Sequence, residues 1–523
     1  VTGALSVLRF HLRRDRMMLF WWIAGNVLLY YSQAVSTDGL YPTQADLDKA
    51  AAGMADNAAF IAMAGPARAL DTLGGQVAWQ ASAFGAIVAA LMSMFLVGRH
   101  TRAEEETGRD ELVRAAAIGR HAPLAATALV VLIADALMGA LIAASLIAYG
   151  LPAAGSSALG LAAGLTGLVF GGVALIAVQL VESTRAAYGI TGAVLGVAYA
   201  LRAVGDVGNG ALSWLSPIGW GQYLRPYADE QWWPLVLPVI AVVLLVLGAV
   251  ALFDRRDIGS GVWPARPGPA RGSLGSASAL AWRLQRGSVI GWAVGLLLGG
   301  IAYGSIGDDV ADLIGDSQFS QDVFTSAGGS IVDSFYATAA VMLSLIGAGF
   351  AIASVQRLRA EESSGFAETL LATALPRWRW VVAHLAVTVC GTLLVVLAGG
   401  VGMGLGFAMV TGDGSAVLRL TGATVPYAVP VLLLAAVAWL AYGIRSGWAA
   451  VGWLGLGFCF VVMMFGEVLQ LPAWLMDVSP FRHLAQTPAE DFRLWPLVAV
   501  ALVAVAAAAA GMVAMRRRDV VSA

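Results

Sequence analysis

The chain has 523 residues, 59% hydrophobic and only 12% charged, and its mean hydropathy is +0.77. Water-soluble domains carry about 25% charged residues, so a soluble enzyme or receptor domain is excluded. A formal net charge of −2, with arginines scattered in short clusters, argues against a nucleic-acid partner.

In chain order, apolar runs predict twelve spans, near 17–35, 78–98, 122–150, 158–181, 186–204 and 234–253, then 288–306, 334–355, 380–410, 422–443, 447–468 and 495–515. Each is about 20 residues or longer, as a helix crossing a bilayer requires, and none alternates as barrel strands would. Leu5–Arg16 and Ala279–Arg286 read as amphipathic stretches lying at the membrane surface, against anionic lipid or as simple anchors. The polar start followed by a full span predicts no cleavable signal peptide. Cys390 and Cys459 fall inside apolar runs, so no disulfide framework is expected.

Arginine sets the orientation. With the N-terminus in the cytoplasm, 24 of the 31 basic residues fall in inner segments, and the lone lysine, Lys49, falls outside. The outer side is acidic instead, as at Asp308, Asp309, Asp312, Asp316 and Asp322. The expected organisation is residues 1–258 as one six-helix half, 259–276 as a Gly/Pro/Ser-rich cytoplasmic linker, and 277–523 as a second half. Six spans per half is an even number, so the halves face the same way, as parallel repeats.

A polar segment is duplicated 257 residues apart, RAEEETGRDELVRAAAIGR at Arg102–Arg120 and RAEESSGFAETLLATALPR at Arg359–Arg377. Nine of the nineteen positions are identical, among them Arg102/Arg359, Glu104/Glu361, Glu105/Glu362, Gly108/Gly365, Glu111/Glu368 and Arg120/Arg377. Thr107 and Ser364 are good N-caps, and Glu111 and Glu368 would fall in a first turn, where carboxylates favour the helix dipole. Gly119 and Pro376 would stop each helix, giving two short helices of about ten residues between the second and third spans. One charge run is ordinarily a solvated loop. Two matched copies predict two docking points for a two-fold protein partner. The repeat extends further: Ser216-Pro217 matches Ser479-Pro480, WPLV recurs at Trp233 and Trp495, and DRRD at Asp254 recurs as RRRD at Arg516.

On these residues the chain resembles the ABC-2 type exporter permeases, in the fused twelve-span form similar to actinobacterial tetronasin-type antibiotic and multidrug exporters. The resemblance implies an all-α polytopic fold of two parallel six-helix ABC-2 (type V exporter-like) repeats with two cytoplasmic coupling helices, in a bacterial plasma membrane with both termini inside. It implies efflux of hydrophobic drugs by alternating access, driven by a homodimer of a separate ABC ATPase docked on both coupling helices. The sequence has no G-x-x-x-x-G-K-[ST] loop, so ATP and Mg would sit on that partner and this chain would bind no cofactor.

By the same resemblance, spans two and five of each half line the cavity. Candidates are Trp79, Phe84, Met92, Phe95 and Tyr199, with Phe335, Tyr336, Met342, Phe350, Trp453, Phe458 and Met463 in the second half. Flat aromatics and pliable Met suit varied apolar ligands, although helix packing or lipid contact would use the same residues. Arg202, Asp206 and Glu467 are candidates for an outer gate or for solvated helix ends. Asp135, mid-span, must be paired, protonated or wetted, and its repeat counterpart is Thr392. The histidines show no metal-ligand spacing. The competing readings are an exporter of lipid or glycan, an ion-coupled carrier that would use Asp135, and a membrane-embedded enzyme, for which no clustered ligands are present.

Overall fold

The computed structural model describes residues 2–54, 58–257, 259–263, 272, 274–306, 331–465 and 471–519. Among these residues every regular element is helical, as a bilayer demands of backbone that cannot borrow hydrogen bonds from water. The chain divides into two compact units, Val1–Gly268 and Pro269–Ala523. Asp308, Asp309, Asp312, Asp316, Asp322, Glu467 and half of the linker lie outside the described residues.

The first unit contains α1 (Ala4–Leu40), α2 (Gln44–Met54), α3 (Ala58–Ala64), α4 (Leu73–His100), α5 (Arg102–Glu106), α6 (Arg109–Arg114), α7 (Ala122–Tyr149), α8 (Ala153–Leu180), α9 (Thr184–Val207), α10 (Pro217–Gln222) and α11 (Val236–Arg255). Local chemistry sets the ends. Thr72 and Ser183 accept from the backbone N–H groups of Gly75 and Ala186, capping α4 and α9. The helix α8 is the hub, packed on α4, α7 and α11. The most apolar stretch of α8 is 72% buried and that of the last span 11%, which places α11 at the lipid-facing edge. Helices α7 and α8 cross where a Cβ on Gly160 would strike the carbonyl of Gly139, and one on Gly164 the carbonyl of Asp135. Small residues at such a crossing let two backbones touch without lipid between them.

The second unit contains α12 (Ala277–Gly304), α13 (Ile331–Ser363), α14 (Phe366–Leu371), α15 (Arg377–Thr411), α16 (Ala416–Thr424), α17 (Ala428–Ile444), α18 (Val451–Phe465), α19 (Ala473–Met476) and α20 (Leu494–Arg517). Ser276 caps α12 through the N–H of Ala279. A 3-10 turn, Val425–Tyr427, joins α16 to α17 in one span. The tightest crossing is between α12 and α15, where Gly300 and Gly304 face Gly402 and Gly406. A Cβ on any of the four would strike backbone of the other helix.

Eleven helices among the described residues are long and apolar enough to cross a membrane. The expected first span, 17–35, is absent from that set. It lies inside α1, a continuous 37-residue helix carrying Arg16, Asn26 and Gln33, which dilute its apolar character. The amphipathic stretches are not separate helices either. Leu5–Arg16 and Ala279–Arg286 run into α1 and α12 without a break.

Candidate functional site: the paired polar elbows

Each copy of the duplicated segment forms an elbow between two long helices. Gly108 (φ 70°) and Gly365 (φ 75°) stand at its corner in the left-handed conformation. Nothing lies within 4 Å of a Cβ built on either, so glycine is needed for its dihedral and not for space. The short helices that follow, α6 and α14, have six residues each, not about ten. Thr107 and Ser364 do not cap them. Their hydroxyls donate backwards to the carbonyls of Ala103 and Ala360, both at 2.8 Å, and so close the preceding helix. Pro376 opens α15; it does not end α14. Glu111 and Glu368 do stand in the first turns of α6 and α14, beside the positive end of each dipole.

The paired carboxylates belong to the helix before the corner and are turned inward. Glu105 accepts from Arg102 at 2.7 Å and from both terminal nitrogens of Arg256, at 2.6 and 3.1 Å. Arg102 is fully buried and also donates to the carbonyls of Val178 (2.6 Å) and Ser260 (2.7 Å). Glu362 accepts from Tyr442 Oη at 2.6 Å and from Arg518 at 2.8 Å. Glu104 pairs with Arg14 at 2.9 Å. Glu361 meets Arg357 and His384, each at 3.3 Å, and accepts from the Trp380 indole at 3.1 Å. Glu105, Glu361 and Glu362 are thus committed to partners within the chain, and Glu104, whose side chain is 14% exposed, is bonded to Arg14 through one oxygen.

The two elbows share a plan. The last helix of each half is held by the elbow twice, first through Arg256–Glu105 and Arg518–Glu362. The second hold is Arg120, which donates to the carbonyl of Phe253 at 3.3 Å, and Arg377, which donates to that of Arg518 at 3.3 Å. Arginines at helix C-termini satisfy carbonyls that the helix leaves open. The plan fails at one repeated position: Arg102 is buried, whereas Arg359 is exposed. What each elbow presents outward is its tip, Glu111 with Leu112 in the first and Phe366 with Glu368 in the second. Leu112 is 77% exposed and Phe366 65%.

Beneath the first elbow lies a buried cluster that sequence reasoning missed. Asp15 meets His100 Nε2 at 2.9 Å and Arg99 at 3.0 Å, and His100 stacks on His11 with centroids 3.9 Å apart. Burial opposes the Asp15 charge, but hydrogen bonds from His100 and Arg99 outweigh it and hold the carboxyl at about 2. Burial, reinforced by His100 and Arg14, pushes His11 down from 6.5 to about 3. The unfolded His11 therefore takes up a proton as pH falls below 6.5, while the folded one does not until about 3. Stability contributed by neutral His11 is complete above that range and is lost on acidification, by about 2 kcal/mol at pH 5. The melting temperature should drop between pH 7.5 and 5, and His11→Gln should flatten the drop. An unchanged slope in that variant would refute the assignment.

The remaining candidates are dispersed. Met92, Tyr336 and Phe350 are fully buried within their own halves, and Trp79 is nearly so, its indole donating to the Gly65 carbonyl at 2.7 Å. These four are packing residues in this conformation. Phe84 and Trp453 are exposed, and Phe95, Tyr199, Phe335, Met342, Phe458 and Met463 are half-buried. Tyr199 and Arg202 both donate to the Met63 carbonyl at 2.9 Å, and the Arg202 guanidinium sits over the Tyr199 ring. Arg202 also meets Asp206 at 3.5 Å, and both side chains are almost wholly buried. This pair is thus not a solvated helix end. Asp135 is fully buried and accepts from Ser93 at 2.7 Å through Oδ2, while Oδ1 has no hydrogen-bond partner and faces Gly167.

Long apolar helices in two compact units, with buried ion pairs confined largely to the helix ends, define a multi-pass, all-α membrane protein. The family described as Multidrug efflux system permease Rv1217c, C-terminal domain, matches residues 274–516. The chain is 37% identical over 525 residues to the Multidrug efflux system permease protein Rv1217c of Mycobacterium tuberculosis (strain ATCC 25618 / H37Rv), covering 99% of this chain and 95% of that one. The chain belongs to this family of multidrug efflux system permeases.

Proposed function

We propose that this chain is the transmembrane permease of an ATP-driven ABC-2 type exporter that moves hydrophobic or amphiphilic drugs out of a bacterial cell. In this reading α1 completes twelve spans, the halves are parallel repeats, and the arginine-rich helix ends and both termini face the cytoplasm. A homodimer of a separate ATPase, carrying ATP and Mg, engages both elbows. Its closure moves them and rocks the halves between inward- and outward-open states. The full-length likeness to a multidrug efflux permease supports the cargo class.

The observation that carries the coupling role is the twofold elbow: an exposed tip on a base bonded to the last helix of its half. We assign docking to the tips and transmission to the inward carboxylates. A push on Leu112 or Phe366 would reach α11 or α20 through Glu105–Arg256 or Glu362–Arg518. The test is Leu112→Asp with Phe366→Asp. Both side chains are exposed, so melting should be unchanged while co-purification with the ATPase and drug-stimulated ATP hydrolysis fall about tenfold or more, as for lost apolar hot spots. Full coupling in this double variant would overturn the docking role. One observation favours an ion-coupled carrier instead, the unpartnered oxygen of Asp135. Drug efflux that persists without any ATPase and is lost in Asp135→Asn would establish that reading.

A further inference from the structure

The second unit has a cleft in its membrane-spanning part. It holds about 300 Å³ between α15 and α20, floored by α13 and α17. Ala435, Ala436 and Trp439 form the buried floor, while Val389 (42% exposed) and Val505 (66%) form the open rims. Thr388 and the Trp439 indole N–H are the polar side-chain groups in the lining, and the indole donates to the Ala508 carbonyl at 3.0 Å. The Thr388 hydroxyl is already engaged, donating to the His384 carbonyl at 3.1 Å and lying 2.8 Å from Ser354 Oγ. The cleft therefore offers an occupant no hydrogen bond.

Three alanines make the space. The last helices of the two halves align without a gap, from WPLV at Trp233 and Trp495 to Arg256-Asp257 and Arg518-Asp519. At this register Ala501, Ala504 and Ala508, all lining the cleft, stand where the first half has Val239, Val242 and Val246. Eleven residues make about three helical turns, or about 16 Å. Counting eleven from Thr388 and from Val505 reaches Arg377 and Arg516, both exposed at the helix ends. Helical register thus puts Arg377 and Arg516 on the cleft sides of α15 and α20, and Arg377 reaches the end of α20, donating to the Arg518 carbonyl at 3.3 Å.

We propose that this cleft binds an anionic phospholipid, one acyl chain lying along Ala501, Ala504 and Ala508 and the phosphate against Arg377 and Arg516. The bilayer around the open rims is the source of such chains, an all-apolar lining selects a chain over a drug that needs orienting, and the paired arginines complement a phosphate. The site is independent of the transport reading, and its test does not use transport.

Full-length protein is reconstituted in phosphatidylcholine vesicles containing phosphatidylglycerol with a diazirine at the acyl terminus, irradiated, and adducts are mapped by mass spectrometry. Adducts are expected on the cleft segments of α15, α17 and α20. The triple variant Ala501→Val, Ala504→Val, Ala508→Val, which copies the first half, should lower them about tenfold by filling the space, with melting and adducts elsewhere unchanged. Ala504→Phe, a single-site plug, should do the same if the triple variant folds poorly. Arg516→Gln should reduce labelling by the phosphatidylglycerol probe toward that of a matched phosphatidylcholine probe. Undiminished labelling in the filled variants, or no cleft adducts in the wild type, would overturn the site. Equal labelling by both probes would overturn the choice of an anionic headgroup, and displacement of the adducts by ethidium would make the occupant a transported compound.

Discussion

Glu105→Gln is expected to cost about 3–5 kcal/mol, because it strips the carboxylate from two buried guanidiniums at once. The Arg102 side chain is 0% exposed and that of Arg256 2%, so water cannot replace the lost charge. The matching change in the second half, Glu362→Gln, should cost less, about 1–2 kcal/mol. Its partner Arg518 is 16% exposed, and an amide oxygen still accepts from Tyr442. Thermal unfolding of the purified full-length variants gives the comparison. Equal costs would mean that Arg102, which has no buried counterpart in the second elbow, adds nothing. On the transmission reading both variants should also lower drug-stimulated ATP hydrolysis at temperatures where each is fully folded.

Gly402→Leu is the second large effect. Its Cβ would run into the carbonyl of Leu297, and Gly406, Gly300 and Gly304 are hemmed in by backbone in the same way. A flexible side chain can swing aside; a helix backbone held by its own hydrogen bonds cannot. The helices must separate, at a cost of about 3 kcal/mol or more. Gly291, on the same helix α12, has nothing within 4 Å of an added Cβ. There Gly291→Ala should stabilise by about 0.5–1 kcal/mol through the unfolded chain. Limited proteolysis of the second half with temperature would separate the two. A tolerated Gly402→Leu would mean that the α12–α15 crossing is looser than its glycines require.

The positions of the elbows could be read from the sequence because the features that define them are local: an apolar run ends, glycine turns the chain, and a new run begins. The direction of the carboxylates could not. Arg256 lies 151 residues from Glu105, and Arg518 lies 156 from Glu362. Helix length was not legible because a breaker such as Pro376 marks where the next helix begins, while α6 and α14 already end at Arg114 and Leu371. The cavity candidates scattered because spans such as α4 and α13 are apolar on every side, so no periodicity tells a core Met92 from an outward Phe84. The glycines at 300, 304, 402 and 406 form two G-x-x-x-G pairs, a sequence signal for the α12–α15 crossing. Glu467 lies outside the described residues, so the gate candidates stand at Arg202 and Asp206.

The unlike contents of the halves have a consequence for counting. Asp135 has Thr392 opposite it in the repeat, and the three alanines of α20 have valines opposite them. A transporter assembled from two identical chains would carry such features in pairs or lack them. On the reading of the two units as diverged repeats, each feature is solitary, so a single substitution removes the whole complement. A stoichiometric probe of either feature should saturate at one equivalent per molecule.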